Sequence, residues 1–393
     1  MHEGGAAGAL RPKRMITIVI APDSFKGSIS ADAAATAIAT GLRRVWPDAD
    51  LRLRPMADGG EGTLDAVLSH GGTRRTARVA GVSGAPLDAG FGLIDNGATA
   101  VIEIAQVVGL TDAAAAAVPV ERRSTRGLGE LMRLLLDAGV RNYLVGLGGS
   151  STNDGGAGLL AALGLKLADA KGRDVDPTPA GLAALAEVDA SVLDSRLARA
   201  HITIMSDVDN PLCGERGATA IFGAQKGVRA ESAAELDARL ARFAALTERA
   251  VGRSAKDRPG AGAAGGLGFA LQLLGGHLRS GAEVIADLLG LDAALEGADW
   301  LITGEGRSDR QTLLGKAPFI AARRAAAKGV PATLVSGAVD RDALPELGRV
   351  FAGCHSLAFG PATLEDCLAD AAQLLADRAE QLALLFAAAR ARR

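Results

Sequence analysis

The sequence has few aromatic residues and no excess of charge of either sign, and both shortages exclude classes of partner. Aromatic side chains make up 3% of the 393 residues, too few for the stacking platforms that bind single-stranded nucleic acid. Lysine plus arginine number 43 against 45 aspartate plus glutamate, a net charge of −2, which provides no broad field for nucleic acid or an anionic membrane. We therefore expect neither partner, and any anion must be bound locally.

Paired cysteines, long apolar runs and hydrolase motifs are also missing. Cys213, Cys354 and Cys367 show no C-x-x-C spacing, which suits a reduced compartment and predicts a cytoplasmic location. The chain has no run of about 18 strongly apolar residues that could span a bilayer. It also lacks G-x-S-x-G and H-E-x-x-H, so acyl-enzyme hydrolysis and zinc-protease chemistry are disfavoured.

Short apolar runs alternate with helical patterns near both ends of the chain, and this order predicts an α/β fold with a parallel sheet. We expect residues 15–72 and 296–393 to form one discontinuous Rossmann-like domain. Residues 73–295 are expected to be an inserted α/β domain with a mixed sheet, because Asn96-Gly97 between two apolar runs is a strong hairpin signal. Residues 1–14 are glycine-rich and are expected to be disordered.

The first apolar run ends in the stretch "IVIAPDSFKGS". Pro22 stops the strand, Gly27 permits a tight backbone, and Ser30 can cap the helix that follows. Ligands of open α/β sheets bind where a strand passes into a helix, beside exposed amides. The candidate binding residues here are Ser24, Lys26, Gly27 and Ser28.

A second strand ends in "PMADGGEGT", which contains Asp58, Gly59, Gly60 and Glu61. Glycines let the backbone approach a ligand, and acids in such a loop can bind Mg²⁺ or accept a proton. The alternative is that the two acids cap the following helix.

The loop "GLGGSSTNDGGAG" offers Ser150, Asn153 and Asp154 as polar groups. It lacks the lysine of the phosphate-binding motif G-x-x-x-x-G-K-[ST]. It could form a phosphate or substrate cradle, or only a tight turn stabilised by an Asx cap.

The stretch "DVDNPLCG" places Asp207 and Asp209 just beyond a strand, and "FGAQKG" follows with Lys226. Two acids at alternate positions suit an Mg²⁺ ion that keeps most of its waters. The alternatives are an Asx turn before Pro211 and an ordinary surface lysine.

The stretch "PGAGAAGGLG" contains a G-x-G-x-x-G pattern, but "AKDR" and a proline precede it where a dinucleotide site requires an apolar strand. We interpret it as a glycine-rich loop that either covers a nucleotide or packs closely.

A returning strand ends in "TGEGRSDRQTLLGKAP", with Glu305, Arg307, Asp309 and Lys316. The basic groups can neutralise phosphoryl oxygens and the acids can hold a metal, whereas the alternative is a surface ion-pair cluster. Together, the strand-end loops share glycines, carboxylates and isolated basic residues, a mixture that suits phosphoryl transfer.

These seven loops, in this order from about Met15 to Ala338, resemble those of the bacterial glycerate kinase family, of the glycerate 2-kinase type. The resemblance implies a two-domain protein with a discontinuous, flavodoxin-like first domain. It also implies ATP as co-substrate, Mg²⁺ as cofactor and D-glycerate as substrate, with 2-phosphoglycerate as product. Alternatives left open are phosphorylation at O3, another small hydroxy acid as substrate, and a non-enzymatic sensor of sugar acids. A homodimer is possible.

With this resemblance, roles can be assigned to individual residues as hypotheses. Lys26, with the amides near Gly27 and Ser28, would bind the carboxylate or phosphoryl group, and Asp58 would accept a proton. Asp207 and Asp209 would hold Mg²⁺. The remaining candidates are Asp154 as a catalytic residue and Lys226, Arg307 and Lys316 as phosphate contacts.

Overall fold

A computed structural model describes residues 15–390. The extension predicted to be disordered, 1–14, and the last three residues lie outside the described part. The described chain divides into two compact units, the first formed by 15–55, 290–313 and 321–390 and the second by 56–289 and 314–320. The domain boundaries expected after residues 72 and 295 stay predictions.

The strands and helices alternate along most of the chain. The strands are β1 (Thr17–Ile20), β2 (Asp50–Leu53), β3 (Thr73–Ala80), β4 (Pro86–Ile94), β5 (Thr99–Glu103), β6 (Asn142–Gly146), β7 (Lys166–Ala168), β8 (Glu187–Asp189), β9 (His201–Met205), β10 (His277–Arg279), β11 (Trp300–Thr303), β12 (Arg307–Ser308), β13 (Ala332–Ser336), β14 (Ala338–Val339) and β15 (Gly353–Ser356). The helices are α1 (Ala31–Val45), α2 (Thr63–Leu68), α3 (Ala105–Val108), α4 (Ala113–Ala117), α5 (Arg126–Asp137), α6 (Ala157–Ala162), α7 (Ala218–Phe222), α8 (Ala230–Val251), α9 (Leu267–Leu273), α10 (Gly281–Leu288), α11 (Leu291–Leu295), α12 (Ala317–Ala327), α13 (Leu344–Leu347), α14 (Leu364–Ala369) and α15 (Ala371–Arg390).

The sheet of the first unit is fully parallel, with strand order β15-β13-β11-β1-β2. Strand β1 lies in the interior of this sheet, where Ile18 is in register with Trp300 of β11 on one side and Leu51 of β2 on the other. All four β1 residues are buried, as expected of a parallel strand covered on both faces. The predicted α/β sheet built from both ends of the chain is confirmed.

Helices α1 and α15 pack against each other beside this sheet. Helix α1 begins as predicted, because the Ser30 side chain accepts a hydrogen bond from the Ala33 amide at 3.2 Å. Where the two helices meet, Gly41 leaves room for the α15 backbone: a Cβ added there would lie 1.9 Å from the carbonyl oxygen of Ala376. Phe386 of α15 stacks on Trp300 with ring centroids 4.6 Å apart.

The sheet of the second unit is mixed, with strand order β10-β9-β6-β5-β4-β3. The β3–β4 and β4–β5 pairs are antiparallel, and the pairs from β5 to β10 are parallel. The Asn96-Gly97 turn joins β4 to β5 in register Ile94↔Thr99, which confirms the predicted hairpin and mixed sheet. No helix among residues 15–390 is long and apolar enough to cross a membrane.

The core of the second unit lies between its sheet and helices that include α5, α6, α8 and α9. Its largest fully buried side chains include Tyr143 of β6, Phe243 of α8 and Phe269 of α9, and the two phenylalanine rings meet edge to face at 6.1 Å. This packing fixes one face of strands β5, β6 and β9, whose carboxyl ends carry the loops described below.

We predict that Gly41→Ala destabilises the protein by about 2 kcal/mol, because the new methyl group would overlap a backbone oxygen that cannot rotate away. The better helix propensity of alanine opposes this loss only in part. Thermal and urea unfolding would measure the change. Gly360→Ala is the control in the same unit, since a Cβ there meets nothing within 4 Å; equal stability of the two variants would contradict the prediction.

Candidate active site

The loop carrying Asp58 lies directly against the carboxyl ends of β6 and β9. The Gly148 amide donates to the Gly59 carbonyl at 3.2 Å. A Cβ on Gly148 would lie 2.3 Å from the Gly60 Cα, and one on Gly146 would lie 2.5 Å from the Gly59 carbonyl oxygen. Glycine at these positions therefore lets the two predicted loops, "DGGEGT" and "GLGGSS", touch backbone to backbone.

Asp58 is fixed by contacts within this loop. Its Oδ1 accepts a hydrogen bond from the Gly60 amide at 3.1 Å. Helix α2 has Gly62 as its N-cap and receives no capping bond from that residue's own side chain. The Leu64 amide in the first turn of α2 bonds Glu103 Oε2 instead, and Asp58 bonds an amide that precedes the helix. These contacts give no support to the alternative that Asp58 and Glu61 cap α2.

Asp207 follows β9 and faces the same loop. Although Asp207 is solvent-accessible, surrounding protein raises the pKa of its carboxyl to about 6, mainly by desolvation and in part through the negative charge of Asp58. The Ser280 hydroxyl and the Gly281 amide, at the start of α10, favour the charged form and oppose this shift. Two carboxylates thus interact at the carboxyl edge of the mixed sheet.

Asp209 has a different environment from Asp207. Its side chain is 75% exposed and lies 3.5 Å from the Arg216 guanidinium. Among residues 15–390 no three or more His, Cys, Asp or Glu side chains form a group that could hold a metal ion. An Mg²⁺ ion that keeps most of its waters needs only one or two carboxylates, and the predicted pairing of Asp207 with Asp209 stays a prediction.

Asp154 is fully buried and holds the backbone of the "GGSSTNDGG" loop. Its carboxylate accepts hydrogen bonds from the Thr125 amide and hydroxyl, both at 2.8 Å, and from the amides of Gly156 and Gly158 at 3.0 and 3.2 Å. Burial raises the pKa of this carboxyl, and the four donors act against that shift. The Asx turn considered for this loop is present, since the Gly156 amide donates to the side chain of Asp154, two residues earlier.

Lys226 is buried against the same loop, 3% exposed. Its Nζ donates to Ser150 Oγ at 2.8 Å and to the Thr152 carbonyl at 2.9 Å. Burial lowers the pKa of this ammonium group to about 7, although the charge of Asp154 acts in the other direction. The surface-lysine alternative is wrong. Asn153 belongs to the same set, with its side-chain amide donating to Thr219 Oγ1 at 3.0 Å.

The G-x-G-x-x-G stretch packs on this loop. The Gly155 amide donates to the Gly265 carbonyl at 2.9 Å, and a Cβ on Gly265 would lie 2.0 Å from the Thr152 carbonyl oxygen. Gly265 has a φ of +67°. Of the two interpretations of this stretch, close packing is the one that these contacts support.

Sequence reasoning missed two charged residues that organise these loops. Arg123, 7% exposed, donates at 2.9 Å to the carbonyls of Ser151 and Lys226. Glu103, 2% exposed, ends β5 and accepts a hydrogen bond from the Leu64 amide at 3.2 Å. The available signal for Glu103 was a single carboxylate inside the apolar run "AVIEIA".

In the first unit, the β1–α1 loop lies beside the loop that follows β11. The Asp23 amide donates to the Gly304 carbonyl at 2.8 Å, and a Cβ on Gly306 would lie 3.3 Å from the Lys26 amide nitrogen. Lys26 is exposed and Gly27 has a φ of +78°. The sequence-predicted residues Ser24, Lys26, Gly27 and Ser28 therefore lie near the loop of Glu305.

Hydroxyl groups hold the side chains of these two loops. The Ser28 hydroxyl donates to the Leu368 carbonyl at 2.7 Å. Glu305, 6% exposed, accepts from Ser308 Oγ at 3.0 Å and from Thr312 Oγ1 at 2.6 Å. Asp309 accepts from the Gln311 amide at 2.8 Å. Arg307 is exposed, and Lys316 falls in the short segment 314–320 of the second unit.

A cavity of about 740 Å³ in the second unit lies away from these loops. Its lining includes His70, Arg75 and Leu289 together with the Asn96-Gly97 turn, which stands at the amino end of β5. None of the predicted site residues lines it. The candidate site is therefore assigned to the carboxyl-edge loops and not to this cavity.

Glycine-rich loops with carboxylates and lysines at the carboxyl ends of parallel strands define an α/β enzyme of the phosphoryl-transfer class. Comparison with known proteins agrees. The model of the glycerate kinase family matches residues 18–387. A glycerate kinase of Bacillus subtilis (strain 168) is 42% identical over 373 residues, covering 93% of this chain and 96% of the relative.

Two further comparisons extend over most of the chain. A glycerate 2-kinase of Escherichia coli (strain K12) is 42% identical over 332 residues, 83% of this chain and 86% of the relative. A crystal structure named as a glycerate kinase 2 from Salmonella typhimurium LT2 superposes with a TM-score of 0.83 at 41% identity, covering 95% of this chain and 99% of the other. The chain belongs to the glycerate kinase family and is a kinase, as the order of its loops implied.

We predict that Asp207→Asn raises the melting temperature by about 2 °C at pH 8 in the absence of divalent cations. The folded-state pKa of about 6 lies above the ordinary 3.8, so Asp207 lowers stability progressively as the pH rises through this range. Asparagine is neutral throughout. The gain should therefore shrink between pH 6 and pH 4, as measured by thermal unfolding in chelator.

Asp209→Asn is the control for this prediction, since that side chain is 75% exposed. It should leave the melting temperature unchanged at both pH values. A gain for Asp207→Asn that is the same at pH 4 and pH 8 would contradict the proposed titration.

Proposed function

We propose that this protein transfers the γ-phosphoryl group of ATP to the O2 hydroxyl of D-glycerate, giving 2-phosphoglycerate. The observation that carries the reaction is the family match over residues 18–387, which includes all the strand-end loops described above. The choice of O2 over O3 is supported by the name of the E. coli relative, a glycerate 2-kinase.

Phosphoryl transfer requires positioned groups and compensation of negative charge more than covalent chemistry by the protein. In the first unit, Lys26 is exposed and followed by a glycine with a φ of +78°. We assign Lys26, with the amides of Gly27 and Ser28, to the carboxylate of glycerate or to a phosphoryl oxygen. Ser24, Glu305, Arg307 and Asp309 are the further binding candidates of that unit.

In the second unit, Asp58 is the candidate acceptor for the proton that leaves the substrate hydroxyl. Its carboxylate is only partly buried and is oriented by the Gly60 amide at 3.1 Å. A proton acceptor must be within hydrogen-bond reach of the hydroxyl it serves. The backbone contacts of Gly59 and Gly60 with β6 provide a fixed position for such a group.

Asp207 is the candidate ligand for Mg²⁺, with Asp209 as the second predicted ligand. The interaction of Asp207 with the charge of Asp58 fits a divalent cation, because a cation relieves the repulsion between two neighbouring carboxylates. When bound, Mg²⁺ would neutralise charge on the phosphoryl oxygens of the nucleotide.

Buried charges give the "GGSSTNDGG" loop a fixed shape. Asp154 bonds three backbone amides, and Lys226 bonds Ser150 Oγ and the Thr152 carbonyl. We propose that this loop contacts the phosphates or the substrate through Ser150 and Asn153, with Glu61 and Lys316 as further contacts. Such a fixed array of dipoles stabilises charge without rearranging during the reaction.

A cytoplasmic location and a possible homodimer remain part of the proposal.

The reaction is tested by a coupled assay of ADP release on a panel of small hydroxy acids, followed by ³¹P NMR of the product. We expect D-glycerate to be the preferred substrate and 2-phosphoglycerate the product. A 3-phosphoglycerate spectrum would contradict the choice of O2, and preference for another acid would contradict the substrate. No ADP release with any acid would favour a binding protein instead.

We predict that Lys26→Ala lowers kcat/KM for glycerate by about 10- to 100-fold, the range expected when a charge-assisted hydrogen bond to an anion is lost. Initial rates at saturating ATP and varied glycerate would measure it. Lys171→Ala, at an exposed lysine in the turn between β7 and β8, should match the wild type. An unchanged kcat/KM for Lys26→Ala would remove this residue from the site.

A further inference from the structure

We propose that Glu103 is a positioning residue for phosphoryl transfer: its buried carboxylate anchors the start of α2 and thereby fixes the loop that carries Asp58. The inference rests on the proposed function for its kinetic consequence. Its structural part, the anchoring of the loop, stands on the contacts of Glu103 alone.

Glu103 is the last residue of β5, in register with Gly146 of β6. Its Oε2 accepts a hydrogen bond from the Leu64 amide at 3.2 Å, and the Gly62 amide also stabilises the charged carboxylate. Both donors belong to the first turn of α2 or to the residue just before it. The first amides of a helix have no partner within the helix, so Glu103 supplies from the sheet the cap that Gly62 cannot provide.

Burying a charged carboxylate at this position costs free energy. Filling space alone therefore does not explain why a glutamate stands there. Glu103 is 2% exposed, and burial raises the pKa of its carboxyl. Among residues 15–390, the groups that act on the charge of Glu103 include no lysine, arginine or histidine. Asp65 and Glu61 repel the charge instead. A methionine of similar size would fill the same space without this cost, whereas it could not accept the two amide bonds.

The anchoring reaches Asp58 through a short run of backbone. The Thr63 amide, beside Leu64, donates to the Gly60 carbonyl at 3.2 Å, and the Gly60 amide bonds Asp58 Oδ1 at 3.1 Å. A change at the start of α2 therefore moves Gly60 and with it the Asp58 carboxylate. Misplacement of a reacting group by about 1 Å can lower a rate about 100-fold.

The test compares Glu103→Met, which keeps the size and removes both acceptor oxygens, with Glu103→Gln, which keeps one. Glu130→Gln is the matched control: the Glu130 carboxylate also accepts a backbone amide, that of Ala80 at 2.8 Å, and lies in the same unit on α5. Circular dichroism and thermal unfolding establish that each variant is folded. If Glu103→Met does not fold, Glu103→Gln carries the comparison with the control.

Two readouts are needed: kcat and KM for ATP-dependent phosphorylation of glycerate, and hydrogen exchange of the Leu64 amide. We expect Glu103→Met to lower kcat about tenfold or more, to change both KM values less than about threefold, and to speed exchange at Leu64 about tenfold. Glu103→Gln should be intermediate in both. Glu130→Gln should leave both at the wild-type value.

Faster exchange with an unchanged kcat would show that Glu103 is only structural and would overturn the proposal. A lower kcat with unchanged exchange would also overturn it, because the effect would not pass through the loop. If the wild type does not phosphorylate glycerate, the proposed function fails; unchanged exchange in Glu103→Met would then refute the anchoring as well, and faster exchange would support it.

Discussion

The candidate site depends on a close approach between main chains that only glycine permits. Gly59 and Gly60 lie against Gly146 and Gly148, where an added Cβ would fall 2.3–2.5 Å from backbone atoms. Backbone cannot rotate out of the way as the end of a side chain can, so a larger residue would lift the Asp58 loop from the strand ends. The loop that contains Gly155 packs as closely against Gly265 and Gly266, where there is likewise no room for a Cβ. Three separate stretches of chain are thereby held at one edge of the mixed sheet.

Buried charged groups hold the loops that the glycines bring together. Lys226, Asp154 and Glu103 are each at most 3% exposed, and each is bonded to backbone groups of a strand-end loop or of the helix that follows it. Breaking such a bond leaves an uncompensated buried group, which costs more than the bond itself contributes. These buried charges lower the stability of the fold but fix the positions of the loop backbones, as expected where oriented dipoles bind a charged substrate.

How much of this structure the sequence could predict depended on how far apart along the chain the interacting residues lie. Ser30 and Asn96-Gly97 were predictable because a cap and a hairpin turn are decided by neighbouring residues. The strand-end loops were predictable because the carboxyl ends of parallel strands meet at one edge, and the order of the motifs matched a family. Glu103 and Arg123 were not found, because the loop groups that they bond are distant in sequence: 39 residues for the Leu64 amide, and 28 and 103 residues for the carbonyls of Ser151 and Lys226.

The same limit applies to the environments of single residues. The sequence of "FGAQKG" cannot show that the Lys226 side chain is buried, because the carbonyl and hydroxyl that it bonds come from a loop more than 70 residues earlier. Asp207 and Asp209 are equivalent by spacing, yet Asp207 interacts with Asp58 and Asp209 points to Arg216. The spacing of acids indicates a strand-end site, whereas the packing of distant segments decides the surroundings of each acid.

The position of β1 inside the parallel sheet has a consequence for synthesis on the ribosome. Its partner β11 begins at Trp300, so one edge of β1 has no native partner until just over three quarters of the 393 residues have been made. All strands of the mixed sheet lie between residues 73 and 279 and are complete earlier. The nascent chain would therefore complete the mixed sheet first, and the hydrophobic strand β1 would await β11, which is made after it.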